Sequence, residues 1–281
     1  MLSRTSLAAV AAGVLAASGC GGRAAVGSEP AEAPYDPRVE APLARASVAP
    51  KAPVASVPAA QAPRPVGADG CESPRIRPLR TRSLAFAAVV RTSARVYARP
   101  GGAASARFGR LNANGVATVF GVLGRTWCGG EWLRVQVPAP PNGSLGWVRA
   151  RDVELVRVRT RIEVDLSRRR VTLYLRGRAL LGAEAAVGAA DTPTPTGSYY
   201  VNQRLVAPDA RGPFGPAAIG ISAFSPVLQD WIQGGPIAIH GTNRPDLLGG
   251  AVSHGCVRVR NDVLVRMFRL AGVGTPVVIR A

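Results

Sequence analysis

The chain has 281 residues and a formal net charge of +18, from 35 Lys and Arg residues against 17 Asp and Glu. No apolar run reaches the roughly 18 residues of a membrane-spanning helix, which excludes an integral membrane bundle. Four scattered Cys without a C-x-x-C pair exclude a disulfide-built miniprotein, and 5% aromatic residues disfavour base-stacking nucleic-acid binding. All but one of the basic residues are Arg, which indicates either GC-rich codon usage or attraction to an anionic polymer. The length favours about two domains.

The N-terminus has the features of an export signal. Residues 1–20 carry Arg4, a short apolar run and small residues before Cys20. The run from Ala17 to Cys20 resembles a bacterial lipobox, which implies lipidation of Cys20 and anchoring to the outer face of the plasma membrane. Ordinary secretion and an uncleaved anchor are the alternatives. Residues 21–80 are rich in Ala and Pro without an apolar period, so we expect a disordered tether.

Residues 81–156 contain short β-rich runs separated by Gly, Pro and Asn. Apolar and polar residues alternate at 87–91, 94–97, 115–120, 131–137 and 146–149. This pattern predicts a small antiparallel barrel. It resembles bacterial SH3-like domains, through Val96-Tyr97-x-Arg-Pro100, Trp132-Leu133-x-Val135 and Gly146-Trp147-Val148. The resemblance implies a wall-binding or spacing module, and we expect the Trp side chains to lie in its core.

Residues 158–281 are predicted to form a second β-rich domain, because apolar and polar residues alternate here as well. Strands are predicted at 162–165, 170–175, 197–201, 236–240 and 276–279, the first two as a hairpin. One short helix is predicted at 261–270, capped by Asn261. The segment between Val201 and Pro236 has no clear period, and we expect a lid-like insertion. The fold class is therefore all-β with one short helix near the C-terminus.

Both His residues and one Cys fall within 17 residues, in His240-Gly-Thr-Asn243 and Ser253-His-Gly-Cys-Val-Arg258. A Cys thiol becomes a thiolate nucleophile when an imidazole takes its proton. A backbone carbonyl can fix the tautomer of that imidazole. Gly255 permits close approach of the backbone, and amides near Cys256 can face an oxyanion. Zinc binding is disfavoured because a fourth ligand is missing. Two purely structural His residues are a further alternative.

The second domain resembles the L,D-transpeptidase (YkuD-like) catalytic domain over about 160–281. The shared motifs are Ile162-x-Val-Asp-Leu166, Thr192-Pro-Thr-Pro-Thr-Gly197-Ser-Tyr199, Ile239-His-Gly-Thr242, Ser253-His-Gly-Cys-Val-Arg258 and Asn261-Asp262. The resemblance implies a β-sandwich domain. It also implies that Cys256 is the nucleophile, that His240 is the general base and acid, and that the Gly241 carbonyl orients His240.

The same resemblance implies the remaining site roles. The amides of Gly255 and Cys256 are the expected oxyanion donors, and His254 adjoins the catalytic centre. Arg258 is expected to fix the Cys loop or a substrate carboxylate, with a structural ion pair as the alternative. The expected substrate-binding set is Ser253, Arg258, Thr242 and Asn243. No cofactor and no metal are expected.

The activity implied is peptidoglycan L,D-transpeptidation, in which 3→3 cross-links form and D-Ala leaves a tetrapeptide stem. Acylation of Cys256 by carbapenems is implied as well. The partners would be peptidoglycan stem peptides and, through the lipid anchor, the membrane, with no nucleic acid. The alternatives are an L,D-carboxypeptidase that uses water as acceptor and a non-catalytic wall-binding lipoprotein. An NlpC-type endopeptidase is disfavoured because there the His follows the Cys.

With Cys20 assigned to lipid and Cys256 to chemistry, Cys71 and Cys128 are the natural disulfide pair. The bond would fasten the segment before the first domain onto it. The bond would close a loop of about 57 residues. In the chain-entropy model, such a bond adds about 4 kcal/mol to the free energy of unfolding. Two unpaired thiols are the alternative.

Overall fold

The computed structural model describes residue 71 and residues 73–281. The predicted signal with Cys20 and most of the predicted tether lie outside the described residues. Within them the fold is mostly β, with one α-helix. None of the helices in this part of the chain is long and apolar enough to span a bilayer.

The strands fall into two eight-stranded sheets and one two-stranded pair. In chain order they are β1 Arg77–Pro78, β2 Ala85–Val90, β3 Ser93–Tyr97, β4 Ala104–Gly109, β5 Val119–Trp127, β6 Glu131–Gln136, β7 Leu145–Arg149, β8 Val153–Val158, β9 Thr160–Asp165, β10 Arg170–Leu175, β11 Arg178–Glu184, β12 Val187–Gly188, β13 Gly197–Val206, β14 Ala217–Phe224, β15 Pro236–His240, β16 Ala251–Ser253, β17 Val257–Arg258 and β18 Pro276–Arg280. The helix α1 is Asn261–Leu270.

The first sheet is antiparallel throughout, in the order β4-β3-β7-β6-β5-β2-β8, with β1 added beside β5. Alternating residues of its strands turn inward to a core that includes Phe120 and Leu133. Trp132 and Trp147 are buried as predicted, but Trp127, the last residue of β5, is 78% exposed, so the prediction is wrong for that residue. The predicted strand at 115–120 instead begins at Val119. The SH3-like class of this sheet stays a prediction.

The end of the predicted tether is part of the fold. β1 pairs with β5 through Arg77 opposite Arg125 and Pro78 opposite Gly124, and Leu79 N–H donates to Leu123 O. The prediction of a disordered tether to residue 80 is therefore wrong at its end. A two-residue strand has no period to detect, and its partner lies far along the chain.

The second sheet is mixed, in the order β11-β10-β9-β18-β13-β14-β15-β17. The long strand β13 pairs with β18 through its first half and with β14 through its second, and a register shift lies between Val201 and Gln203. A strand that passes from one pairing to another at a bulge makes a corner between two layers. Residues of both layers share one core, which includes Ile162 and Val164 from β9 and Ile219 and Ile239 from the other layer.

The segment between Val201 and Pro236 is more than a lid. It contains β14, which lies between β13 and β15 in the middle of a layer. All its residues except Phe224 are buried, so the strand lacks the apolar–polar alternation that marks a half-exposed strand. The prediction of an insertion was wrong here for that reason. The predicted strands on either side, and the β9–β10 hairpin, are confirmed.

The β9–β10 hairpin carries a hydrogen-bonded charge cluster. Tyr174 donates to Glu163 at 2.7 Å, and Arg161 forms an ion pair with the same carboxylate. Partial burial alone would raise the pKa of Glu163, but the Tyr174 hydrogen bond and the Arg161 charge outweigh it and lower the pKa. The cluster therefore stabilises the hairpin most when Glu163 is ionised.

Polar contacts join the two sheets. The hydroxyl of Tyr200, a fully buried residue of β13, donates to Val119 O at 2.8 Å. Its ring packs against Gly121, where a Cβ would overlap it. Gln136 Nε2 donates to Ser198 O at 2.7 Å. The two sheets are therefore joined by an interface with specific hydrogen bonds.

Candidate active site

The two chemical groups of the predicted site lie on neighbouring strands. β15 and β17 run parallel, with Ile239 opposite Val257 and His240 opposite Arg258. Ile239 and Val257 both point into the core. Successive side chains on a strand alternate between faces, so His240 and Arg258 share the opposite face. Cys256 comes directly before β17, and the same alternation places it on the face of His240.

The imidazole of His240 is fully buried and held in one orientation. Its Nδ1 lies 2.6 Å from Gly241 O. A carbonyl oxygen can only accept, so Nδ1 donates, and in the neutral ring Nε2 carries the lone pair. The ring of Phe214 packs against the imidazole, with centroids 4.8 Å apart. This arrangement leaves Nε2 as the basic atom.

The peptide between Gly241 and Thr242 is held from both sides. Its N–H, on Thr242, donates to Asn261 Oδ1 at 2.8 Å, while its carbonyl accepts from His240. Because a trans peptide is planar with N–H and C=O on opposite sides, Asn261 fixes the direction of the carbonyl. A Cβ at Gly241 would overlap Asn261 Oδ1 and approach Gly215 Cα to 3.0 Å, so only glycine fits this loop.

Asn261 therefore has a different role from the predicted one. It is the first residue of α1, and no side chain caps the helix at Arg260. The carboxamide is used for the loop instead. Sequence reasoning identified the residue as a helix start but missed this contact, because its partner lies 19 positions away.

The loop before Cys256 is fastened by its own backbone. Ser253 is 1% exposed; its hydroxyl donates to Cys256 O at 2.5 Å and accepts from Gly255 N–H at 3.2 Å. Both groups therefore fasten the loop. The predicted substrate-binding role of Ser253 and the predicted oxyanion role of the Gly255 amide stay predictions. The amide of Cys256 stays the predicted oxyanion donor.

Gly255 has φ of +109°, a conformation that favours glycine. A buried Thr side chain braces this turn from outside. Thr194 Oγ1 donates to Gly255 O at 2.8 Å and accepts from Gly188 N–H at 2.8 Å. A second hydroxyl, Thr192 Oγ1, donates to Ser253 O at 3.1 Å. Both Thr residues lie in the Thr-Pro repeat of the motif, whose contacts sequence reasoning did not assign.

The other predicted residues surround the site. His254 is half-buried and stacks on Trp231, with ring centroids 5.8 Å apart. Trp231 was missed because it lies in the segment interpreted as a lid. Thr242 is buried, and its hydroxyl accepts from Arg244 N–H at 2.9 Å. Asn243 is exposed.

The two remaining predicted cysteines are joined. Cys71 and Cys128 form a disulfide with Cα atoms 5.8 Å apart.

Arg258 is half-buried, and its backbone exchanges hydrogen bonds with Ala186. The backbone of Arg258 is thereby fixed in the strand beside His240. The role of its side chain stays a prediction.

Comparison with known proteins gives the same family for the second domain. Residues 159–279 match the family model of the L,D-transpeptidase catalytic domain, YkuD. The Bacillus subtilis protein YkuD is 35% identical over 118 residues, which are 42% of this chain and 64% of that protein. The Bacillus subtilis protein YqjB is 36% identical over 101 residues, 34% of this chain and 56% of that protein. The chain thus spans less than two thirds of the length of these curated relatives.

Solved structures are similar as well. The catalytic domain of an Enterococcus faecium L,D-transpeptidase is 28% identical, with coverage of 43% of this chain and 96% of that domain, and a TM-score of 0.32. The sequence matches and the family model all cover the domain that carries His240 and Cys256. Residues 159–279 are therefore similar to the YkuD-like L,D-transpeptidase catalytic domain.

Proposed function

We propose that the protein is a peptidoglycan L,D-transpeptidase that forms 3→3 cross-links through an acyl-enzyme on Cys256. The observation that carries the proposal is the fixed imidazole of His240. Its Nδ1 donates to Gly241 O, which leaves Nε2 free of that proton. Cys256 directly precedes β17, and extension of the strand alternation by one residue puts it on the face of His240, which supports the proposal. An imidazole oriented towards a thiol is the arrangement that activates a nucleophile.

The reaction has two balanced steps. His240 takes the Cys256 proton, and the thiolate attacks the carbonyl of the third, diamino-acid residue of a tetrapeptide stem. The bond from this residue to the terminal D-Ala breaks, His240 gives its proton to the leaving amine, and a thioester remains. The side-chain amine of a second stem then attacks the thioester. Its proton passes through His240 to the sulfur, a new amide forms and Cys256 is regenerated.

The rigidity of the site supports this chemistry. The Gly241 carbonyl stabilises the imidazolium that forms when His240 takes the proton. The Ser253 and Thr194 contacts hold the Cys256 loop in one conformation. The Cys256 amide would donate to the developing oxyanion. Each of these groups is in place before substrate arrives, so little reorganisation is needed.

The decisive test is incubation of the full chain with disaccharide-tetrapeptide, followed by mass spectrometry. We expect loss of D-Ala, an adduct on Cys256 and cross-linked dimers. Cys256→Ala should abolish all three, whereas Arg260→Ala, an exposed change beside the same strand, should leave them unchanged. Tripeptide monomers without dimers would reassign the protein as an L,D-carboxypeptidase. Absence of D-Ala release would support a non-catalytic wall-binding lipoprotein.

The position in the cell is part of the proposal. A lipid on Cys20 and an extended, Pro-rich tether would place the two sheets above the outer face of the membrane, where wall polymer lies. The first domain would act as the SH3-like wall-facing module. We expect the exported protein to fractionate with membranes and Cys20→Ser to release it. Equal fractionation of both forms would contradict lipid anchoring.

A further inference from the structure

A cavity of about 460 Å³ lies between the two sheets, away from Cys256. Five carboxamide side chains line it from both sides. Its lining includes Asn112 and Asn114 of the first sheet and Asn202, Gln203 and Gln233 of the second domain. A cleft that two domains build together, and that none of the catalytic steps uses, is a candidate binding site.

The carboxamides form a connected network. Asn112 Nδ2 and Asn114 Nδ2 both donate to Gln203 Oε1, at 3.0 and 2.8 Å. Gln233 Nε2 donates to Asn114 Oδ1 at 3.0 Å. The network holds these amides in place. Gln203 Oε1 and Asn112 Oδ1 each already accept two hydrogen bonds, so further capacity for a ligand lies mainly in N–H groups, of which every carboxamide has two.

One member of the lining is unsatisfied. Asn202 Oδ1 is buried, with no hydrogen-bond partner among the described residues. Asn202 occupies the register shift of β13, between Val201 and Gln203. A buried acceptor without a donor is costly, so this amide gains a hydrogen bond when it turns towards a hydroxyl in the cleft.

Gln233 is held in an unusual backbone conformation. Its φ is +62°, in the left-handed region that residues other than glycine rarely adopt. This conformation belongs to the turn that aims its amide at Asn114, on the other side of the cleft. Residues held in such conformations cluster at ligand clamps.

The rest of the lining indicates a neutral ligand. Among the described residues around the cleft, Arg107 is the one charged side chain. Apolar surface comes from the half-buried rings of Phe108 and Phe224 and from Pro138 and Pro140. Carboxamides that bind hydroxyls, beside flat apolar surfaces that cover C–H faces, suit a sugar that carries N-acetyl groups.

The cleft lies within reach of the catalytic centre. Pro236 lines the cleft, and β15 runs from it to His240, about 13 Å at the usual rise of a strand. An extended peptide of three residues spans about 10 Å. In the proposed reaction the attacked carbonyl belongs to the third stem residue, so a sugar in the cleft and a carbonyl at Cys256 are compatible with one substrate.

We propose that this interdomain cleft binds the N-acetylated glycan of the substrate, so that the glycan positions its stem peptide towards Cys256. The identity of the ligand rests on the proposed function, whereas the sugar-binding chemistry rests on the cleft itself. Trp231, two residues before Gln233, stacks on His254, so one short segment contacts both sites. The first domain thereby contributes directly to substrate binding.

The test is binding of chitotetraose, a β-1,4-linked N-acetylglucosamine tetramer, to the full chain carrying Cys256→Ala, measured by calorimetry. Asn114→Ala and Gln233→Ala should each raise Kd about tenfold, the effect of one lost hydrogen bond of moderate strength. Gln229→Ala is the matched control, because this exposed carboxamide lies on the same loop but outside the cleft. Its Kd should equal that of the parent.

Equal Kd values in all three variants, or no binding by the parent at millimolar sugar, would overturn the proposal. Thermal unfolding of Asn114→Ala and Gln233→Ala shows whether each is folded, and two variants on opposite sides of the cleft protect against a local defect. Because the binding assay needs no catalysis, its failure is distinct from failure of the proposed function. Failure of the proposed function would appear as absent D-Ala release with sugar binding intact.

Discussion

Replacement of Asn261 by Ala tests how the His240 imidazole is oriented. Asn261 Oδ1 accepts from Thr242 N–H, the opposite side of the peptide whose carbonyl accepts from His240. Asn261→Ala removes the acceptor, and Thr242 is only 4% exposed, so its N–H loses its partner in a buried place. Such a loss costs about 1–3 kcal/mol of unfolding free energy.

The effect on catalysis should be larger than the effect on stability. Once the peptide is no longer fixed, the Gly241 carbonyl can turn and the His240 imidazole follows it. A misplacement of about 1 Å lowers rates on the order of 100-fold. Asn261 acts on the orientation of His240 and is not expected to contact the substrate. Therefore kcat should fall, while KM for disaccharide-tetrapeptide should change little.

Two further variants make this interpretation specific. Asn261→Asp keeps an oxygen acceptor in the same place and should restore most of kcat. Asp262→Ala changes the adjacent, exposed residue, whose carboxylate pairs with Arg260, and should leave kcat unchanged. D-Ala release measures kcat, and urea unfolding measures stability. If Asn261→Ala and Asp262→Ala have the same kcat, the peptide between Gly241 and Thr242 does not position the imidazole.

Three other predictions concern stability. Tyr200→Phe removes the hydroxyl that donates to Val119 O and should cost about 1 kcal/mol in urea unfolding, with the ring kept in place. The pKa of Glu163 is lowered by folding, so the stability it contributes is present above its unfolded pKa and is lost as pH falls through its folded pKa. Glu163→Gln should reduce the loss of stability at acid pH, measured as the pH dependence of the thermal unfolding midpoint. An unchanged pH dependence would refute the role of Glu163 ionisation in stability. The double change Cys71→Ser and Cys128→Ser should cost about 4 kcal/mol in urea, a loss that reductant should reproduce in the parent.

Sequence patterns were sufficient wherever a segment repeats its own chemistry. β10 alternates between faces, and α1 has apolar residues on one side, so both were predicted within a residue or two of their ends. The motifs around His240 and Cys256 are contiguous in sequence, so the candidate reacting groups could be named without a structure. β14 was missed because a strand buried on both faces has no alternation.

Hydrogen-bond partners distant in sequence were decided by the tertiary structure. No local pattern links Thr194 to the loop before Cys256, yet its Oγ1 donates to Gly255 O, 61 positions away. Asn261 is a suitable helix cap by residue type, but a peptide 19 positions away takes its carboxamide.

The cleft between the sheets shows the same division. Asn114 and Gln203 are 89 positions apart, and no local pattern links them. The sequence by itself determined the helix and those strands that alternate between faces, and it named the candidate reacting side chains, because local periodicity and short motifs encode these. Which polar atoms satisfy one another, and which remain available for a ligand, depended on long-range packing, because a hydrogen bond is specified by the positions of both partners.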